Sequence, residues 1–481
     1  MSQPYDQPII DIVNYVYHYA LDSGDEEIWK SARTALLDAL SCAIETSATS
    51  AECRKLLGPV IDDTIVPDGF RVPGTELQVD PVKGAFDLGV LIRYLDHNDA
   101  LGDNLAAILP VMDWLSRASL SGRRVHTSPP LTMRTLLVAL VKAYEIQGCY
   151  QMQNAFNSYG IDHVVLVKVA SAAVVCWVLG SSEGEAMATL SHVWMDGQPS
   201  RVYRSGANTV PRKGWAAGDA ARRAVQLALL VRDGQPGSPG ALSAKPWGFW
   251  ERTFGERGFV FPRPFGSWTV RNVLFKTMPV EGHAISAVEA AVLHARLLRQ
   301  KGLSDPLEQI RWIDLRTTAA ASLIINKHGP LHNAADRDHC IQYVVALAFL
   351  KASPPDAVDY LDESPWATSE RLEVLRGRIV VQPDTKLTED YLDLDKKSIG
   401  AGMTVHLADG TSMPEILVEY PVGHSRNPKT PAAVQEKFFR NMGLLFDTTE
   451  IGRMLGAVQN QDTLISDFMN LFIRPSSEAK L

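Results

Sequence analysis

Apolar residues recur at helical rather than alternating spacing from Ile9 to about Leu230, as in IWKSARTALLDALSCAI, MRTLLVALVKAYEIQG and HVVLVKVASAAVVCWVLG. Apolar positions at i, i+3, i+4 and i+7 fall on one helix face, so this region is predicted to be mostly α. Two of these helices are nearly apolar all round, VVLVKVASAAVVCWVLG above all, which marks central members of a bundle. They are too short and too rich in Ala and Ser to read as membrane spans. Between roughly Gly234 and Gly266 the chain turns rich in Gly, Pro, Trp and Phe, and a domain boundary is placed just after this stretch. Beyond it, strand signals appear at IRWIDLRTT, RIVVQ, MTVHLADG and ILVEYP, the last two joined by an Asp409-Gly410 turn into a hairpin. They alternate with helical patterns at AISAVEAAVLHARLL and HCIQYVVALAFL, and the mixture reads as a smaller α+β domain. After Pro431 the spacing is helical again, in AAVQEKFFRNMGLLF and EIGRMLGAV, a tail able to rejoin the first helical domain. The expected divisions are 1–269, 270–424 and 425–481, in a fold that is mainly α. No internal repeat is visible.

At 481 residues, 46% of them apolar, the chain can build real cores in two or three domains. Its formal charge of −8 argues against nucleic acid or an anionic membrane as the main partner. Cys42, Cys53, Cys149, Cys176 and Cys340 are odd in number, widely spread and without CxxC pairs, which points away from a disulfide framework, structural zinc or an iron–sulfur cluster. A reducing compartment is implied. The start, MSQPYDQPIIDIV, lacks secretory and mitochondrial features, so a cytosolic location is expected. The last three residues, Ala479-Lys480-Leu481, resemble a peroxisomal SKL signal with Ala for Ser, which keeps a peroxisomal alternative open.

Against this acidic background, basic residues gather in RVYRSGANTVPRKGWAAGDAARR, from Arg201 to Arg223. Two basic clusters flank a turn that leads into a helical run. Arg204, Arg212 and Lys213 beside a helix N-terminus suit a ligand carrying several carboxylates or phosphates, although the GxxxxGK[ST] pattern of a P-loop is absent. Four more places concentrate polar groups. Asp96-His97-Asn98-Asp99 ends a helical run, and its two carboxylates share a face if the helix persists; otherwise these are turn residues at a helix C-terminus. Asp162-His163 precedes the most apolar helix, with Asp162 as N-cap and His163 in the first turn, where the helix dipole favours the neutral imidazole a general base needs. Lys276 and His283 bracket a Pro turn before AISAVEAA and repeat the anion-site logic. ADRDHCIQY brings Asp336, Arg337, His339 and Tyr343 to a helix start; Asp338 or a neighbour serves as N-cap, and Arg337 with Tyr343 can hold a carboxylate. A polycarboxylate substrate, proton carriers drawn from His and Tyr, and no metal signature suggest proton abstraction α to a carboxylate with loss of a leaving group.

The segments YGIDHVVLVKVAS, WAAGDAARRAV, NVLFKTMP, GPLHNAADRDHCIQY and VEYPVGH resemble the MmgE/PrpD family, nearly end to end. The resemblance implies a metal-free, cofactor-free homodimer with a large all-helical domain built from both chain ends and a smaller α+β lid. It implies dehydration of 2-methylcitrate or a longer 2-alkylcitrate to the alkylaconitate, with decarboxylation of an aconitate-like acid, or tricarboxylate binding without turnover, as alternatives. By motif, Asp96, His163, His283 and Tyr343 carry over as catalytic residues. Arg204, Lys213, Lys276, Asp99 and Arg337 are expected to hold the small tricarboxylate. The chain departs from the family at LDHNDALGDNLAAIL, where Ala100 replaces a Thr and a loop with a His-Pro pair is missing. That loop's histidine is among the acid/base groups the family leads one to expect.

Overall fold

The computed structural model describes residues 4–204, 209–303 and 305–475. Residues 205–208 of the basic stretch and the terminal Ala479-Lys480-Leu481 lie outside the described residues.

Six helices build most of the first core: α1 (Glu26–Thr49), α2 (Pro81–Arg93), α3 (Leu105–Leu120), α4 (Met133–Gln153), α5 (Val164–Val178) and α6 (Arg212–Arg232). Their starts obey local chemistry. The Asp25 side chain accepts the Ile28 N–H to open α1, and Asp80 accepts those of Val82 and Lys83 to open α2, with Pro81 preset for the first turn. The apolar helix α5 is buried at every position but Trp177, which makes it the centre of the bundle. No helix among the described residues is long and apolar enough to cross a membrane.

The second core forms around a four-stranded sheet of β1 (Ile310–Thr317), β2 (Ile379–Pro383), β3 (Ala401–Leu407) and β4 (Ile416–Val418), in the order β2-β1-β3-β4. The central β1 runs parallel to β2, with Ile313 opposite Ile379, and antiparallel to β3, with Thr317 opposite Ala401. β3 and β4 form the hairpin, pairing Met403 with Ile416; in its turn Gly410 takes φ +87° and the Leu407 N–H bonds the Thr411 carbonyl at 2.8 Å. Helices α7 (Ile285–Gln300) and α8 (Ile341–Lys351) pack together, α7 also covers β3 and β4, and the short α9 (Thr385–Leu392) comes after β2. Helix α10 (Thr430–Met442) then packs on α1, and apolar residues from Phe438 to Phe472 lie in the first core.

At one helix crossing two backbones come into direct contact. A Cβ added to Gly89 would lie 2.5 Å from the Gly218 Cα, and one added to Gly214 would lie 3.0 Å from a Tyr94 ring carbon. These pairs advance in opposite directions along the two helices. α2 and α6 therefore touch backbone to backbone and run antiparallel, which sets the end of α2 beside the first turn of α6.

Candidate active site

The chain leaves α2 at Arg93 and turns back at Asp96, whose φ of +53° is left-handed. Asp tolerates this conformation better than most residues. The helix thus stops short of the Asp96–Asp99 segment, and the two carboxylates do not share a helix face as one sequence reading allowed. Asp96 points into a buried charge cluster. Its Oδ1 accepts a hydrogen bond from Lys276 Nζ at 2.7 Å and lies 3.5 Å from Arg93 Nε, while its Oδ2 is 3.6 Å from Lys213 Nζ and 3.9 Å from His339 Nδ1. Burial opposes its ionisation, but Lys276, Lys213 and Arg93 outweigh it and hold the carboxyl well below the usual range.

From the first turn of α6, Lys213 Nζ also reaches Asp338 Oδ2 at 2.5 Å, and Asp338 Oδ1 accepts from His339 Nδ1 at 2.6 Å. Asp338 is therefore an ion-pair partner and not the expected N-cap. Asn333 caps the short turn of helix before it, and Cys340 stands at the start of α8.

At the start of α5, Asp162 accepts the Val164 N–H at 3.2 Å and lies 2.9 Å from Arg204 Nε and 3.5 Å from Arg201 Nη1. His163 stands 3.2 Å from the same carboxylate and is 28% exposed, more open than Lys213 or Lys276. Burial, then the guanidinium groups of Arg204, Arg93 and Arg201, push its imidazole down to about 3 against the pull of Asp162. His163 is thus neutral across the physiological range, which is the state expected of a proton acceptor. Arg204 also donates to the Lys213 carbonyl at 3.2 Å, tying these two cations into one wall. Arg212 turns outward instead, stacking on Trp215 and pairing with Asp219 at 3.2 Å.

Glu281 and His283 complete the cluster from the turn before α7. The Glu281 N–H bonds the Asp338 carbonyl at 3.2 Å, and a Cβ on Gly282 would lie 3.9 Å from Lys276 Cε. His283 Nδ1 meets Glu281 Oε1 at 3.0 Å, and its Nε2 meets the Tyr391 hydroxyl at 3.4 Å. The whole holds five cations, Arg93, Arg201, Arg204, Lys213 and Lys276, against Asp96, Asp103, Asp162 and Asp338, with Glu281 matched by His283. Burial raises the Asp103 carboxyl, against the pull of Arg93 and Arg204. A surplus of cations in a shielded site selects anions. Among the described residues, no group of three or more His, Cys, Asp or Glu side chains could hold a metal ion.

Three expected site residues have other surroundings. Asp99 belongs to a second buried network: it accepts from the Tyr144 hydroxyl at 2.8 Å and the Leu101 N–H at 2.7 Å, and its own N–H bonds Asp38 Oδ2 at 2.9 Å. In the same network Lys437 pairs with Asp38 at 2.7 Å and donates to the carbonyls of His97 and Lys276 at 2.6 and 2.8 Å. Arg337 pairs with Asp362 and the Tyr360 carbonyl, both at 2.6 Å. The Tyr343 hydroxyl is buried in the second core without a hydrogen-bond partner among the described residues, its ring 6.3 Å from that of Tyr360. The shortened segment closes tightly, with the Ala100 N–H on the Leu274 carbonyl at 3.2 Å and residues 101–104 buried. It brings Asp103 to Arg93 at 3.4 Å and no imidazole or hydroxyl into the cluster. Sequence reasoning missed Arg93, Asp103, Glu281 and Tyr391. Arg93 had a signal, three residues before Asp96; Tyr391, inside the polar run TKLTEDYL, had none.

Two family models match this chain, the MmgE/PrpD N-terminal domain over residues 10–262 and the MmgE/PrpD C-terminal domain over residues 278–462. The chain is 58% identical to alkylcitrate dehydratase phiI of a fungal species (strain ATCC 74256), covering 98% of this chain and 95% of that protein. It is 52% identical to alkylcitrate dehydratase phiI of Talaromyces stipitatus, over 98% of both. With the 2-methylcitrate dehydratase of Salmonella typhimurium it shares 43% identity, again over 98% of both.

Proposed function

The chain belongs to the MmgE/PrpD family, and we propose that it is a dehydratase removing water from 2-methylcitrate or a longer 2-alkylcitrate to give the alkylaconitate. The observation that carries this reading is the convergence of Lys213, Lys276 and Arg204 on a neutral His163 and an ionised Asp96 within one buried cluster. The cations hold the substrate carboxylates, which compete with Asp96 and Asp338 for the two ammonium groups. His163 or Asp96 takes the proton from the carbon α to a carboxylate. The electron pair of that C–H bond forms the double bond, the C–O bond breaks, and the oxygen leaves as water with a proton supplied from the His283 side. This reading assigns no step to Asp99, Arg337 or Tyr343, whose hydrogen bonds and packing lie elsewhere.

Because Asp96, Lys213 and Lys276 are all under 10% exposed, substrate entry requires the units to part. We take the 270–424 segment as a lid over the helical unit formed by 1–269 and 425–481, in a homodimer that light scattering would verify. Cytosolic residence belongs to the same reading, and imaging of a fusion with and without Ala479-Lys480-Leu481 tests the peroxisomal alternative.

The test is turnover. Purified protein is incubated with 2-methylcitrate and with 2-alkylcitrates of increasing chain length, and the conjugated alkene is followed by absorbance and mass. No product from any of them, with a folded protein, refutes the dehydratase reading. Release of carbon dioxide in place of water marks a decarboxylase. Thermal stabilisation by tricarboxylates without product marks a binding protein, the reading favoured by the Ala100–Asn104 turn, which brings no imidazole or hydroxyl into the cluster.

A further inference from the structure

Resting on the dehydratase reading, we propose that Tyr391 is a catalytic residue: its phenol gives the departing hydroxyl its proton, at the end of a relay that runs from Glu281 through His283. The three groups come from two separate segments, the turn before α7 and helix α9, and form a directed chain. The Glu281 carboxylate accepts the His283 backbone N–H at 2.8 Å and meets Nδ1 of the same residue at 3.0 and 3.1 Å. This double hold fixes the imidazole plane and commits Nδ1 to the carboxylate, leaving Nε2 for the Tyr391 hydroxyl at 3.4 Å, with ring centroids 5.8 Å apart. The turn that carries Glu281 and His283 lies beside the cluster. Gly282 lies against the Lys276 side chain, and His283, 17% exposed, faces outward more than Lys276 does.

The charges suit proton donation. Burial works against an imidazolium at His283, but Glu281 outweighs it and raises its pKa; Lys276 and Arg201, facing it from other segments, work in the opposite direction. Burial, then Glu281, raises the Tyr391 phenol, so it stays protonated at neutral pH and acts as an acid. In the step itself the C–O bond of the substrate breaks with its electron pair on oxygen, and that oxygen takes the phenol proton and leaves as water. The phenolate oxygen recovers a proton from His283 Nε2, and solvent reprotonates the imidazole, whose charged form Glu281 favours.

The experiment compares kcat, KM and pH profiles of wild type, Tyr391→Phe, His283→Gln and Glu281→Gln on 2-methylcitrate and the best longer 2-alkylcitrate. Loss of a general acid costs about 10²–10⁴-fold. Tyr391→Phe is expected to lower kcat by at least about 100-fold, as that range requires, with KM within about threefold because the carboxylate-holding cations are untouched. Glu281→Gln should shift the alkaline limb of kcat to lower pH by about one unit or more, because the group that favours the imidazolium is gone. A merely structural contact would lower stability without moving that limb. Wild type that turns over while Tyr391→Phe keeps kcat within threefold overturns the relay and leaves the dehydratase reading standing. Wild type without turnover removes both. Should Tyr391→Phe fail to melt cooperatively, His283→Gln and Glu281→Gln decide, and unchanged kcat in both overturns the proposal.

Discussion

Replacing Asp96 by Asn removes one charge from the centre of the cluster and little else, since Asn has nearly the same shape and also tolerates the left-handed backbone at φ +53°. An exposed ion pair would be worth about 0–1 kcal/mol. Asp96 is 1% exposed and faces Lys276, Arg93 and Lys213 at 2.7, 3.5 and 3.6 Å, so its loss leaves buried cations uncompensated. Breaking one side of a buried pair costs about 3–5 kcal/mol. Lys213 keeps Asp338 and Arg93 keeps Asp103, which leaves Lys276 as the main loser and places the expectation near the lower end, about 3 kcal/mol. For a chain of this length melting as one unit, that is a drop in Tm of roughly 3 °C. The deficit is electrostatic and sits where a carboxylate ligand would bind, so citrate should restore it. At 100 times Kd a ligand stabilises by about 2.7 kcal/mol, enough to close most of the gap. The Asp96 pKa is depressed in the folded state, so its contribution is complete above the unfolded carboxyl value of about 3.9 and is lost as pH falls through the folded value. Differential scanning fluorimetry at pH 5–8, where the Asp96 contribution is complete, measures the deficit and its recovery with citrate. Asp96→Asn melting within 1 °C of the parent, or citrate raising both proteins equally, would refute the reasoning.

Gly89→Ala and Gly218→Ala should each cost about 1–3 kcal/mol or more in urea midpoints and lower activity, because an added methyl forces α2 and α6 apart at the crossing that sets Asp96 against Lys213. Gly456→Ala, on a helix with nothing near the added methyl, should stabilise by about 0.5–1 kcal/mol in the same assay. Lys437→Met should destabilise by about 3–5 kcal/mol and raise KM, since Lys437 pairs with buried Asp38 and holds the Lys276 carbonyl; chemical denaturation and steady-state kinetics check the two halves. His163, pushed down to about 3 in the fold against an ordinary 6.5, binds fewer protons folded than unfolded between those values, so it makes stability rise with pH across that window. His163→Gln should flatten that rise in pH-dependent melting curves, and the ring signals of His163 in NMR should not titrate between pH 5 and 8.

The helical reading was legible because it rests on local periodicity, and α4 and α5 occur where MRTLLVALVKAYEIQG and HVVLVKVASAAVVCWVLG predicted them. The β3–β4 hairpin was equally local, marked by its Asp-Gly turn. Nothing in the chain, however, announces that β1 pairs in parallel with β2 across more than sixty residues. At the site, Arg204, Lys213, Lys276 and His163 each stood at a helix start or loop junction, and the fold gathers them. Asp99 went elsewhere because one left-handed residue, Asp96, reverses the chain between the two carboxylates. Arg337 and Tyr343 looked like neighbours on one helix, and they remain neighbours around Tyr360 across the break at Asp338–Cys340, but Arg337 is committed to Asp362 and the Tyr360 carbonyl. Glu281 and Tyr391 meet through His283 from segments that share no pattern, a pairing only the tertiary structure could reveal.

The Lys437 bridge also carries a timetable. Its ammonium closes on the carbonyl of His97, 340 residues earlier in the chain. At ~5–20 residues per second, ribosomal synthesis leaves an interval of roughly 20–70 s in which the amino-terminal helices exist without that cation. Throughout it, Asp38 and the backbone carrying Asp96 must stay hydrated or be sheltered by other proteins, because burying them unpaired is unfavourable. The first helices to be made are thus among the last to settle, and the anion-binding centre comes into being as a late event in the life of the nascent chain.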